Sequence, residues 1–112
     1  MYDGLWVVEF QANNDFGWGV VVFNGNQIMG GDWGYYYFGQ INTTGKLTGE
    51  INAVRFNQNV SSVFGEIDNF TLLLKDGVIN NTKFNVTAVV KGKEELSITI
   101  RGTKKVDANE SA

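Results

Sequence analysis

Apolar and polar residues alternate with a period of two along most of this 112-residue chain, and Gly, Asn and Asp turn signals break the alternation every eight to twelve residues. A period of two sends successive side chains to opposite faces of an extended backbone. The chain therefore reads as a meander of short strands. Eight runs qualify: Leu5–Phe10, Gly17–Phe23, Gln27–Gly30, Tyr35–Ile41, Leu47–Phe56, Phe70–Lys75, Phe84–Val90 and Leu96–Arg101. Asn24-Gly25 is the strongest short hairpin signal; Asn13-Asn14-Asp15, Gly30-Gly31-Asp32, Thr44-Gly45, Asp76-Gly77, Asn80-Asn81 and Gly92-Lys93 supply the other turns. Asn57–Glu66 breaks the pattern and is expected to hold a short helical turn or to cross one end of the sheet. Residues 1–107 are expected to form a single domain, with 108–112 a small, polar, frayed tail.

The two faces of these strands differ between the halves of the chain. Toward the C-terminus Leu96, Ile98 and Ile100 alternate with Ser97, Thr99 and Arg101, and Phe84, Val86, Ala88 and Val90 with Asn85 and Thr87, giving one dry and one wet face. In the first strand Trp6, Val8 and Phe10 form one apolar face, and Leu5 and Val7 make the other apolar as well. An eight-stranded antiparallel sheet closed into an up-and-down barrel buries one face of every strand and has no free edge. The second apolar face of the N-terminal half then needs a partner, and Leu5, Val7, Tyr36 and Phe38 are the expected interface of a homodimer.

Glycine makes up 14 of the 112 residues, above the usual ~7%. Gly17, Gly19, Gly39 and Gly49 fall inside strands, where they permit sharp bends and can also open interior space for a ligand. The interior residues expected to line such a space are Trp6, Tyr35, Tyr37, Phe84 and Ile98.

Cysteine and histidine are absent, which removes disulfides, Cys/His zinc sites, a cysteine nucleophile and an imidazole base. A formal charge of −3 has the wrong sign for a phosphate-backbone binder, so nucleic acid is not an expected direct partner. Gly17-Trp18-Gly19 lacks the third glycine of a dinucleotide fingerprint, with Val22 in its place, and Gly39 to Lys46 has one residue too many for a phosphate loop. Asp32 after two glycines reads as an acceptor for backbone N–H groups in a turn. Glu9, Glu50 and Glu66 are the acids a paired-carboxylate hydrolase could use, yet strand alternation points such acids outward. Lys91, Lys93, Lys104 and Lys105 read as an exposed basic cluster at a solvated edge. Six Asn-x-Ser/Thr triplets, at Asn42, Asn59, Asn69, Asn80, Asn85 and Asn109, raise glycosylation, but a small secreted glycoprotein without disulfides is unusual, and Asn85 and Thr87 also fit an ordinary outward strand face. The N-terminus has an acid, Asp3, where a signal peptide needs basic residues, and no apolar run approaches a membrane span. A cytoplasmic, non-enzymatic protein without metal or cofactor is expected.

The ordered set Asp3-Gly4-Leu5-Trp6, Gly17-Trp18-Gly19, Asn24-Gly25, Gly30-Gly31-Asp32, Tyr37-Phe38-Gly39 and Arg55-Phe56-Asn57 resembles the GrlR family of bacterial regulators over about residues 3–105. The resemblance implies a lipocalin-like eight-stranded barrel that dimerises and has no enzymatic activity. It also implies repression of type III secretion genes by sequestering an activator protein. The family's namesake uses an acidic loop for that contact, whereas the matching stretch here, Asn42-Thr43-Thr44-Gly45-Lys46, carries no acid. Two functions are therefore expected: regulation through protein–protein binding, and alternatively the holding of a small apolar, lipid-like ligand inside the barrel.

Overall fold

The computed structural model describes residues 2–65 and 67–108. Eight strands follow in chain order: β1 (Gly4–Ala12), β2 (Asp15–Asn24), β3 (Gln27–Gly31), β4 (Tyr35–Asn42), β5 (Leu47–Arg55), β6 (Asn69–Ile79), β7 (Lys83–Val90) and β8 (Lys93–Asp107). Each pairs antiparallel with the next, and β8 returns to β1 with Gly4 opposite Asp107 and Gln11 opposite Thr99. The sheet is a closed up-and-down barrel, the all-β architecture expected from the alternation, and consistent with a lipocalin-like barrel.

The alternation of the sequence becomes an alternation of burial. In β7 Phe84, Val86, Ala88 and Val90 are buried while Asn85 and Thr87 are exposed. In β8 Ile98 and Ile100 are buried on either side of the half-exposed Thr99. Among the described residues no polar or charged residue is fully buried. The core is thus the barrel lumen, and the backbone polar groups are satisfied around it by the ladder.

Two local expectations need correction. Asp76-Gly77 is not a turn: Asp76 adopts φ 51°, the β6–β7 register shifts between Lys75 and Val78, and the strand runs on to Ile79. A bulge absorbs the extra residue there, and the turn falls at Asn80, whose Oδ1 accepts from the backbone N–H groups of Thr82 and Lys83. β8 is longer at both ends than its apolar core: Lys93 pairs with Val90 at its start, and Thr103 and Val106 still find partners in Val7 and Leu5 toward its end. Of the two readings of the segment after β5, a short helical turn or a crossing of one end of the sheet, its described residues follow the second.

That crossing segment is anchored at several points. Phe56 and Asn57 donate their backbone N–H groups to Gly34 O, and Ser62 and Gly65 form an isolated antiparallel bridge. Arg55, its side chain almost wholly covered, pairs with Asp68 at 2.6 Å and donates to Val60 O at 3.4 Å. Ala108 still donates to Asp3 O, so the fold includes it; residues 109–112, expected to fray, and Glu66 lie outside the described residues. No helix among the described residues is long and apolar enough to cross a membrane.

Candidate ligand-binding cavity

The end of the barrel where β1 starts is plugged by aromatics. Trp6 is completely buried, stacks on Phe23 at 5.1 Å and meets Phe84 at 5.4 Å. Its indole N–H donates to Tyr2 O at 2.9 Å, which satisfies the one polar atom of the ring, and the Lys104 ammonium sits 5.6 Å from the ring centre. Gly25 N–H donates to Asp3 Oδ1 across the same end.

Above this plug the lumen is not filled. A cavity of about 210 Å³ runs from Phe23 and Phe84 past Ile41, Ile51 and Ile98 to the opposite end. Short side chains at Val8, Val21, Ala53 and Val86 leave the room. The crossing segment roofs part of it through Val60, Ser61, Ser62 and Val63. Val60 is seated against Gly34, where a side-chain carbon would stand 2.3 Å from Val60 Cγ1.

Among the described residues that line the cavity, the polar groups gather at this roofed end. Asp32 Oδ1 accepts the N–H groups of Gly34 and Tyr35 at 2.8 Å each, as the turn reading anticipates, while Oδ2 accepts the hydroxyl of Tyr37. Tyr37 projects into the lumen, edge-on to Phe10 at 5.6 Å, beside the space left by Gly19, whose side-chain carbon would lie 3.3 Å from the phenol oxygen. Burial, followed by the hydrogen bond to and the charge of Asp32, pushes the Tyr37 phenol well above its ordinary value. It remains a protonated donor and is unavailable as a base. Tyr35 donates its hydroxyl to Ile67 O, so the second tyrosine ties the crossing segment to β4. Asp15 and the largely exposed Phe16, Trp18 and Trp33 complete the rim.

No family model and no curated protein matches the chain.

The site residues expected from the sequence fall in two places. Tyr35, Tyr37, Phe84 and Ile98 line the cavity together; Trp6 does not, and forms the floor one layer below. Val8, Phe10, Val21 and Phe23 also face it, as the alternation from Trp6 onward could have indicated, whereas the contribution of Val60 to Val63 carried no periodic signal. Leu5, Val7, Tyr36 and Phe38 are on the outer face: Leu5 opposes Val22, Val22 opposes Met29 and Met29 opposes Phe38 across β1 to β4. The rings of Tyr36 and Phe38 stack at 6.2 Å in this row.

The charged candidates among the described residues sit outside the lumen. Glu9 faces Arg101 at 3.6 Å and Glu50 faces Lys91 at 3.5 Å, both on the barrel exterior, and Glu66 is outside the described residues. The expected basic cluster is two groups: Lys91 and Lys93 flank the start of β8, while Lys104 and Lys105 lie near its end. Lys104 is moreover largely covered, against Trp6 and 3.7 Å from Asp107. Among the described residues no group of three or more acidic side chains is arranged to hold a metal ion.

Proposed function

We propose that the protein is a carrier or sensor that holds one small apolar molecule inside the barrel. The observation behind this reading is the apolar lumen cavity of about 210 Å³. Eight strands enclose either packed side chains or one small ligand, and a dry cavity of about 150 Å³ already takes up benzene. An unfilled lumen of this size costs stability that a bound apolar body restores. Native mass spectrometry of protein purified from its own cell tests the reading directly: a retained mass that is lost in an Ala53→Leu variant is the expected result. A wild type that neither retains such a mass nor takes up benzene-sized to octyl-sized molecules overturns it.

A second reading rests on the outer face. Leu5, Val7, Val20, Val22, Met29, Tyr36 and Phe38 adjoin on β1 to β4, with no charged side chain between them. Its occupant is a second copy of this chain: an uncharged face selects no charged partner, and a two-fold axis sets it against itself. Such a dimer is what the resemblance to the GrlR family implies, as a cytoplasmic bacterial repressor of type III secretion genes that works by protein–protein binding.

A further inference from the structure

The cavity has a chemical polarity as well as a size. Its body is apolar, and its roofed end carries two carboxylates, Asp15 and Asp32, with no Lys or Arg among the described residues that line it. Neither acid takes part in an ion pair among the described residues. Asp32 holds its turn and the Tyr37 hydroxyl, so its charge is fixed in place at the boundary between lumen and water. Trp33 stands at the same rim with 78% of its surface in water, its backbone carbonyl held by the Asn57 amide at 3.2 Å.

From this arrangement the geometry points to an amphiphile with a short apolar body and a cationic amine head as the ligand class of the cavity, an inference that rests on the ligand-holding reading above. The body is limited by volume: scaled from benzene in about 150 Å³, the cavity accepts a body of about eight carbons. The head is selected by charge. An ammonium group at the rim meets a carboxylate of opposite sign and the face of an exposed indole, a pairing that strengthens as water is excluded. A carboxylate or phosphate head meets like charge with no counterion, and gives up its hydration without compensation. A hydroxyl can donate to Asp32 but gains no charge attraction, so it falls between the two.

Isothermal titration calorimetry with n-octylamine, 1-octanol and octanoate at neutral pH and low salt separates these cases. The expected order is amine, then alcohol, then carboxylate, with about a tenfold or larger gap between the extremes. The gap should narrow in high salt and in Asp32→Asn, which keeps an oxygen to accept the Gly34 and Tyr35 N–H groups. Asp15→Asn, at an exposed position, provides the same test without touching that turn. Octanoate binding as tightly as the amine, or a gap unchanged in both variants, overturns the head-group assignment and leaves the cavity reading standing. Failure of all three compounds to bind overturns both.

Discussion

The Tyr37 hydroxyl donates to the Asp32 carboxylate from inside the barrel, and so joins the middle of β4 to the turn that precedes it. Asp32 already accepts two backbone N–H groups of that turn, so the phenol is the third donor on one carboxylate. Hydrogen bonds to charged groups contribute about 1.5–3 kcal/mol, and Tyr37→Phe should lose an amount in that range in denaturant melts. The pH dependence has a definite sign. Folding raises the Tyr37 pKa above its ordinary value, so its contribution is complete below pH ~10 and is lost as pH rises beyond that point. Wild-type stability should therefore fall above pH ~10 more steeply than that of Tyr37→Phe, by about 1.4 kcal/mol per pH unit. Parallel slopes for the two proteins refute the burial of this phenol.

Phe84 occupies the space a side chain at Gly102 would need: a methyl group there comes within 2.0 Å of the Phe84 ring. The ring is also the lid of the aromatic plug, 5.8 Å from Phe23. Gly102→Ala must push Phe84 up into the cavity, at a cost of about 1–3 kcal/mol for overpacking. Ligand uptake should drop together with stability. A variant that melts like the wild type while still taking up n-octylamine excludes this packing.

Period-two alternation was enough to specify eight strands, their faces and barrel closure, because one side of each strand must be dry whatever the partner. It also brought Tyr35, Tyr37, Phe84 and Ile98 to one lumen. Trp6 shows where alternation stops: it fixes the inward face but not the height along the barrel axis, and height decides whether an inward ring lines a cavity or closes its floor. The bulge at Asp76-Gly77 was hidden for a related reason, since a residue with positive φ serves a turn and a bulge equally well. That Asn57–Glu66 crosses one end of the sheet was one of two readings of its broken pattern, but which of its residues cover the lumen was not legible; the place of Val60 to Val63 is set by tertiary anchors, Arg55 to Asp68 and Gly34 to Val60, that leave no periodic trace. Lys104 read as a solvated charge because only the folded barrel brings Trp6 beneath it.

The floor and the wall of the cavity should respond differently to truncation. Ile98→Ala removes a buried side chain from the wall and should lower stability by about 2–5 kcal/mol while enlarging the cavity, so that longer amphiphiles bind better than they do to the wild type. Trp6→Ala removes the floor, with a loss of about 3–5 kcal/mol, and should weaken binding of every chain length because water enters from below. Calorimetry on a series of alkylamines compares the two. A loss below ~1 kcal/mol for Ile98→Ala shows that the wrong face of β8 has been placed inside.

The outer row Leu5, Val22, Met29 and Phe38 crosses four consecutive strands, so a single charge placed in its end strand disturbs a continuous surface. Phe38 is 44% exposed, and Phe38→Glu removes apolar area from solvent without touching the lumen, where Tyr37 and Gly39 face. If this face joins two copies, the wild type sediments as a dimer at micromolar concentration and Phe38→Glu as a monomer with unchanged uptake of n-octylamine. Two carboxylates brought together across a two-fold axis in an apolar interface are strongly disfavoured, so the shift should be complete. A monomeric wild type rules out the homodimer, and a variant that remains dimeric moves the interface off β1 to β4. Because lumen and outer face are opposite sides of the same strands, loss of binding and loss of dimer in separate variants is the pattern that assigns one role to each side.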